Sequence, residues 1–344
     1  MHGGIDVSVT IKDIAKAAGV SITTVSRALN GYSDVSEETR RKIFRIAEDM
    51  GYSPNIAARS LIVKRTKTLG LLISGITRTS VKDSIAFEIL CGMNDRAGEL
   101  NYDLVLFNTD TQKQKMKSYK ALCLERGVDG VIIMGIRMDD PYLEEVVHSA
   151  IPCVLIDIPL TGKDVSSVNS DSVNGAWMAV DHLIRNGHRH IGLINGHAQA
   201  FVSQKRLEGY RKALADHGLP YRDDCVEDGG FTESGGGEAA IRLLSRHPDM
   251  TALFCASDLM AIGAIQAIRN MGKSVPEDVS VVGYDNISMS EYLSPPLTTI
   301  KQDHYRMGYQ AAQMLIDMLE GRKVNPQVTL PAELIVRGSV RAIG

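Results

Sequence analysis

The stretch Thr10–Asn30, TIKDIAKAAGVSITTVSRALN, decides how the chain is read. Thr10 and Asp13 have the spacing of a capping box, in which each residue satisfies a free backbone group of the other at a helix start. Ile11, Ile14, Ala15 and Ala18 then recur at helical spacing and make one apolar stripe. Gly19 permits a sharp turn, Val20 plugs it from below, and Ser21 restarts a helix as its N-cap. Val25, Ala28 and Leu29 form the buried side of this second helix, and Asn30-Gly31 can end it in the left-handed region. Ile22, Thr23, Thr24, Ser26 and Arg27 are left facing outwards. Short hydroxyls beside one arginine suit a helix that enters a DNA major groove. An ordinary helix pair in a small bundle would show the same stripe.

Downstream, Ser36 can cap a third helix with Glu37 and Glu38 in its first turn, where the helix dipole favours acids. Ile43, Ile46, Ala47 and Met50 supply its apolar face, Gly51 stops it, and Arg40, Arg41, Lys42 and Arg45 read as a solvated side. Ser53-Pro54 opens a separate alanine-rich segment, about residues 54–62, that prefers helix but is too short to persist without partners. Charge follows the same division. The formal net charge is −3, yet residues 1–67 hold 11 of the 38 basic and 7 of the 41 acidic side chains, a balance of +4 against −7 for the rest. A basic end on an acidic body is the footprint of nucleic-acid binding.

From Thr68 short apolar runs alternate with helical stretches. LGLLI, YDLVLF, GVIIM and PCVLID, and later HIGLIN, TALFCAS and VSVVGYD, read as buried parallel strands, so the remaining residues, 68–344, are expected to form two doubly wound α/β layers. With 344 residues the chain is long enough for two or three domains. There is no apolar run of membrane-spanning length and no signal-peptide pattern. The 5 cysteines lack paired spacing, so neither a disulfide framework nor a metal site is expected, and a cytoplasmic protein is. Nor is there a Gly-x-Gly-x-x-Gly, a Walker lysine loop or a Gly-x-Ser-x-Gly elbow. Gly235-Gly236-Gly237 reads as a flexible turn at a helix start, and no enzyme activity or cofactor is expected.

The headpiece TIKDIAKAAGVSITTVSRALNG, followed by VSEETRRKIFRIAEDMGYSPNIAARSL and later by GHRHIGLING, SDLMAIGAI, VSVVGYDN and PPLTTIKQD, resembles the LacI/GalR family of bacterial transcription regulators over nearly the whole chain. The resemblance implies a helix-turn-helix headpiece with hinge helix in residues 1–67, then a periplasmic-binding-protein-like core. It implies an N-subdomain of about 68–165 plus 298–325, and a C-subdomain of about 166–297 plus 326–344. In such a protein the 54–62 segment is a hinge helix that orders on operator DNA beside its dimer mate, with Asn55, Ala58 and Leu61 on the DNA and Leu61 wedged into the minor groove. Arg27 would read a base edge, Ile22 and Thr23 its neighbours, while Ser21, Thr24, Ser26 and Asn30 hold phosphates.

In open α/β sheets ligands gather at the carboxyl ends of strands, where Ser74, Asn108, Asp110, Asp157, Arg206, Phe231, Asp258 and Gln302 stand. Carboxylates and an arginine can hold neighbouring hydroxyls, and a ring can cover a sugar's apolar face. Helix capping alone would explain Asp258, and a buried ion pair Arg206. The resemblance supports both as effector contacts, in Arg-Leu-x-Gly and Ser-Asp-x-Met-Ala contexts, with Phe231 against the ligand; Asp157 and Gln302 carry over more weakly. One departure is the loop after the first strand, GITRTSVKDSIAFEIL, which replaces the family's compact Asn-Pro-Phe-Phe type stretch and carries Arg78 and Lys82. It suits either an anionic ligand or a solvent-facing insertion. The expectation is a homodimeric repressor of a palindromic operator, controlled by a small carbohydrate-like effector in the interlobe cleft. Its rivals are a solute-binding protein without DNA function and a regulator whose co-effector is a partner protein.

Overall fold

The computed structural model describes residues 9–29, 32, 34–52, 65–74, 84–109, 114 and 116–343. Asn30, Asn55, Ala58, Leu61 and the expected hinge helix lie outside these residues, as do Asp110 and most of the loop bearing Arg78 and Lys82. The chain divides into two compact units, Met1–Thr66 and Lys67–Gly344.

In the first unit the local signals act as their chemistry dictates. The Thr10 backbone N–H and hydroxyl both donate to Asp13 Oδ2, at 2.9 and 2.6 Å, and helix α1 runs Ile11–Ala18. Gly19 turns the chain at φ 68°, Ser21 Oγ accepts from Thr24 N at 3.0 Å, and α2 runs Ile22–Leu29. Ser36 Oγ likewise accepts from Thr39 N at 3.2 Å to start α3, Glu37–Asp49. Ile14, Ala15, Ala18, Val25, Ala28, Val35, Ile43 and Ala47 close into one core.

The second unit holds two six-stranded sheets of matching order. The first contains β1 (Thr68–Ser74), β2 (Asp103–Thr109), β3 (Gly130–Met134), β4 (Cys153–Ile156) and β5 (Val165–Ser170), all parallel. The second contains β6 (Ile191–Asn195), β7 (Val226–Asp228), β8 (Ala252–Cys255), β9 (Ser280–Asp285) and β10 (Thr298–Lys301). The edge strands β11 (Gln327–Leu330) and β12 (Glu333–Ile335) complete the first and second sheets, β12 antiparallel to β10. In each sheet one strand, β1 or β6, is flanked by the next two in sequence on opposite sides, which opens a crevice at its carboxyl end.

Strand pairing moves the expected subdomain limits at 165, 298 and 325. Val165–Ser170 pairs with β4 and stays with the first sheet, Thr298–Lys301 pairs with β9 in the second, and Gln327–Leu330 returns to the first. Helix α4 (Ile85–Glu99) packs with the helix His304–Leu319 beside the first sheet; the helices before and after β7 run Phe201–Asp216 and Glu233–Arg246, and another runs Asp258–Asn270. The glycine run is a packing contact rather than a loose turn. A Cβ on Gly236 would lie 2.3 Å from the Met260 carbonyl oxygen, and one on Gly263 1.8 Å from that of Glu233, so the two helices touch backbone to backbone.

Candidate functional site

A cleft of about 270 Å³ opens where the carboxyl ends of the two sheets face each other within the second unit. Four of the residues singled out from sequence line it: Asp157 after β4, Arg206 in the helix Phe201–Asp216, Phe231 after β7, and Gln302 after β10. Three cleft residues hold left-handed backbone conformations without being glycine, Asp157 (φ 59°), Phe231 (φ 56°) and Asp285 (φ 108°). Strain of this kind persists only where the surroundings enforce it, and it gathers at ligand sites.

Arg206 is 4% exposed and lies inside its helix rather than opening it. Its guanidinium carbon sits 3.8 Å from the Tyr284 ring centroid, Nη1 donates to the Ala256 carbonyl oxygen, and Nη2 is 3.6 Å from Asp285 Oδ1. Nε has no hydrogen-bond partner among the described residues. Asp285 Oδ1 also accepts from Gln302 Nε2 at 2.7 Å, and that amide nitrogen is 3.3 Å from His304 Nε2. His304 Nδ1 lies 3.6 Å from Glu88 Oε2 on α4. Hydrogen bonding to His304 is the main reason the Glu88 carboxyl is held below the usual carboxylate range. One polar string thus joins the second sheet's end of the cleft to a helix of the first lobe. Burial pushes the Asp157 carboxyl up, opposed by a bond from Ser170 N at 3.2 Å and by the Arg206 charge.

Phe231 meets His197 edge to face, ring centroids 5.6 Å apart. The two rings form one wall, Ile85, Ile136, Ile158 and Leu259 supply further apolar surface, and Gln302 Oε1 and His197 Nδ1 are buried without partners among the described residues. An orphan donor, an orphan acceptor and an unpartnered ring nitrogen around a half-apolar cleft are what a bound small molecule with polar and apolar faces would satisfy.

Asp258 is not among the residues lining the cleft. It is fully buried, Oδ1 accepting from the Thr299 hydroxyl at 2.5 Å and Oδ2 from Ile287 N at 2.9 Å. Nor does it cap its helix, since Ser257 Oγ accepts from Met260 N at 3.2 Å. The expected contact is therefore corrected. A helix turns each successive side chain by about 100°, so Ser257 and Leu259 can line the cleft while Asp258 points into the protein. Ser74 and Asn108 end or precede the ends of strands of the first sheet but do not line the cleft. His197, Tyr284 and His304 carry no site signal in the sequence, whereas Asp285 does, as an acid at the end of the apolar run VSVVGYD.

Elsewhere, Asp224, Cys225 and His247 bring one potential metal-ligand atom each within 4.8 Å of the others. Both Asp224 oxygens, however, are taken by Arg222 at 3.1 and 2.8 Å.

In the first unit Ser21, Ile22, Thr23 and Arg27 are exposed on α2, and Thr24 and Ser26 are half-buried beside the buried Val25 and Ala28. Ser21 Oγ and Thr24 Oγ1 lie 2.8 Å apart, so both hydroxyls stand together at the helix start. Arg27 Nη2 pairs with Asp34 Oδ2 at 2.7 Å.

Residues 10–55 match the family described as "Bacterial regulatory proteins, lacI family", and residues 180–340 match a "Periplasmic binding protein-like domain". Over 335 residues the chain is 37% identical to the HTH-type transcriptional repressor PurR of Actinobacillus pleuropneumoniae serotype 3 (strain JL03), covering 96% of this chain and 98% of that protein. It is similar to the solved structure of a transcriptional regulator CelR–cellobiose complex, with 33% identity, TM-score 0.75 and coverage of 96% and 99% of the two chains. It is also similar to that of the Lac repressor dimer bound to operator and the anti-inducer ONPF, with 29% identity, TM-score 0.81 and coverage of 97% and 100%.

Proposed function

The chain belongs to the lacI family of bacterial regulatory proteins and is a DNA-binding transcription regulator with a small-molecule effector; within that family, we propose that it is a homodimeric cytoplasmic repressor of a palindromic operator, released or tightened by a carbohydrate-like ligand held between its two lobes. The observation that carries the effector assignment is the buried Arg206, with Nε unpartnered among the described residues, facing the cleft beside Asp157, Gln302 and Phe231. The guanidinium can donate to a ligand hydroxyl, the carboxylate can accept from neighbouring ones, and Phe231 offers an apolar face to the ring carbons. Ligand and operator would be coupled through a shared two-state element, the closure of the lobes, by about 1–3 kcal/mol. Calorimetric titration of the full chain with sugars and sugar phosphates tests the assignment. A saturable heat that shifts operator affinity supports it, and a panel without any heat removes the carbohydrate.

Two expected outcomes follow from the geometry. Gly196 stands against Phe231, so that a Cβ there would lie 2.0 Å from the ring. Gly196→Ala should displace the ring at a cost of about 1–3 kcal/mol of overpacking, read as weaker ligand binding by calorimetry; unaltered affinity would remove Phe231 from the site. On the DNA side, Arg27→Ala should lose about 1–3 kcal/mol and relax the preference at one base pair per half-site. A selection from randomised operators measures this, and equal weakening on all sequences would make Arg27 a phosphate contact instead.

A further inference from the structure

We propose that Asp34 sets DNA specificity by holding the Arg27 guanidinium in its reading position, and that its own charge lowers affinity for DNA in general. The inference rests on the reading of Arg27 as a base contact. The pair is short, 2.7 Å, yet both side chains are 48% exposed. An ion pair so exposed adds little to fold stability, and the headpiece core closes without it.

What the pair does is fix a long side chain. The Arg27 guanidinium lies 5.5 Å from the Tyr32 ring centroid as well as against Asp34, so it is held by two groups. Both belong to the connection between α2 and α3, and that connection is itself tied down. Tyr32 N donates to the Arg27 carbonyl oxygen at 3.1 Å, Arg40 Nη2 donates to the Tyr32 carbonyl oxygen at 2.7 Å, and Val35, next to Asp34, is buried in the core. A guanidinium has five N–H donors in a planar fork. With one nitrogen occupied by a carboxylate, an edge remains for the two acceptors, O6 and N7, that guanine shows in the major groove. Fixing the fork beforehand removes much of the ordering that binding would otherwise require.

The carboxylate has a second consequence. Around the pair, Ser21, Thr23, Thr24, Ser36 and Thr39 line a shallow hydroxyl-rich depression in which Arg27 and Asp34 are the charged members. Hydroxyls suit phosphate oxygens, whereas Asp34 repels them. Once Arg27 has its guanine the pair is compensated, but on DNA without that guanine the negative charge opposes binding. Removing the carboxylate should therefore do two things of opposite sign: blunt discrimination and strengthen non-specific binding.

Full-length Asp34→Asn and Asp34→Glu, with Arg27→Ala in parallel, are tested by selection from randomised operators and by titration of an unrelated duplex over a range of salt. Arg27→Ala first identifies the base pair that Arg27 reads. Asp34→Asn is then expected to lower discrimination at that pair alone by about two- to fivefold while tightening binding to the unrelated duplex. Asp34→Glu keeps the charge but displaces the carboxylate, so it should lose discrimination without gaining general affinity. If Arg27→Ala changes no position selectively, the base-reading assignment and the role of Asp34 both fall. If Arg27→Ala does so while the Asp34 variants discriminate as wild type does, or weaken all positions alike, the inference alone is overturned. A headpiece that unfolds in either Asp34 variant would also overturn it, since the pair would then be a structural prop.

Discussion

Asp258→Ala is expected to destabilise the two-lobed unit by about 2–6 kcal/mol, as two unpaired buried donors at about 1–3 kcal/mol each would, without loss of ligand affinity. Two donors converge on this carboxyl, the Thr299 hydroxyl at 2.5 Å and Ile287 N at 2.9 Å, and all three residues are buried. Alanine leaves both donors in a dry interior, where the desolvation already incurred is no longer offset. Asp258→Asn should be milder, since its oxygen can accept from Ile287 N and its amide can donate to a reoriented Thr299 hydroxyl. The pair of variants also separates charge from shape. Burial first, and the neighbouring Asp285 second, push the Asp258 carboxyl well above the usual carboxylate range. A folded-state value above the unfolded one means a contribution that is complete below the unfolded value and lost as pH rises towards the folded value. Wild type should therefore lose stability relative to Asp258→Asn as pH is raised across that interval. Denaturant unfolding at several pH values, beside calorimetric titration, reads both effects. A variant of unchanged stability that no longer binds ligand would return Asp258 to the cleft.

The fate of Asp258 shows where sequence reading stops. Its place at the end of a strand was legible, because TALFCAS is an apolar run that halts at a polar pair. The direction of its side chain was not, since that depends on which residue caps the helix and how far the chain has turned. The headpiece was legible nearly throughout because its determinants lie within three or four residues of one another: Thr10 with Asp13, Ser21 with Thr24, Ser36 with Thr39. Strands β1, β2, β3, β4, β6, β8 and β9 announced themselves as apolar runs. Val165–Ser170, VSSVNS, did not, although every residue in it is buried. It is a strand because it is paired on both sides, with β4 and with β11, so that its backbone polar groups are met by long-range partners that leave no mark in the local sequence. The same gap hid the subdomain limits. Among cleft residues, Asp157, Arg206, Phe231 and Gln302 were singled out by position, whereas the hydrogen-bonded connection from Asp285 through Gln302 and His304 to Glu88 joins distant parts of the chain, and as a connection it has no local signature.

Arg206→Lys is expected to lower effector affinity by about 1.5–3 kcal/mol, the usual loss of one charged hydrogen bond, corresponding to roughly tenfold or more. Three of the guanidinium's features are already engaged: Nη1 on the Ala256 carbonyl, Nη2 near Asp285 at 3.6 Å, and the planar carbon over Tyr284 at 3.8 Å. They hold the group in place, while Nε is without a partner among the described residues and the residue lines the cleft. Lysine keeps the positive charge that Asp285 and Gln302 are arranged around, but a single ammonium cannot serve the carbonyl, the carboxylate and the ligand at once. Arg206→Ala is the harsher change. It removes the partner of a buried carboxylate, which costs about 3–5 kcal/mol of stability, and so confuses unfolding with lost binding. The lysine variant is thus the informative one, with thermal unfolding in the absence of ligand as its control. Ligand affinity equal to wild type would show that the arginine only supports Asp285 and Tyr284, and that the effector meets the cleft through Asp157, Gln302 and Phe231 without it. Weakened affinity in a protein of near-normal stability places the guanidinium on the ligand. Any heat change on binding should then fall with it, because the lost contact is a charge-assisted bond in a partly dry site.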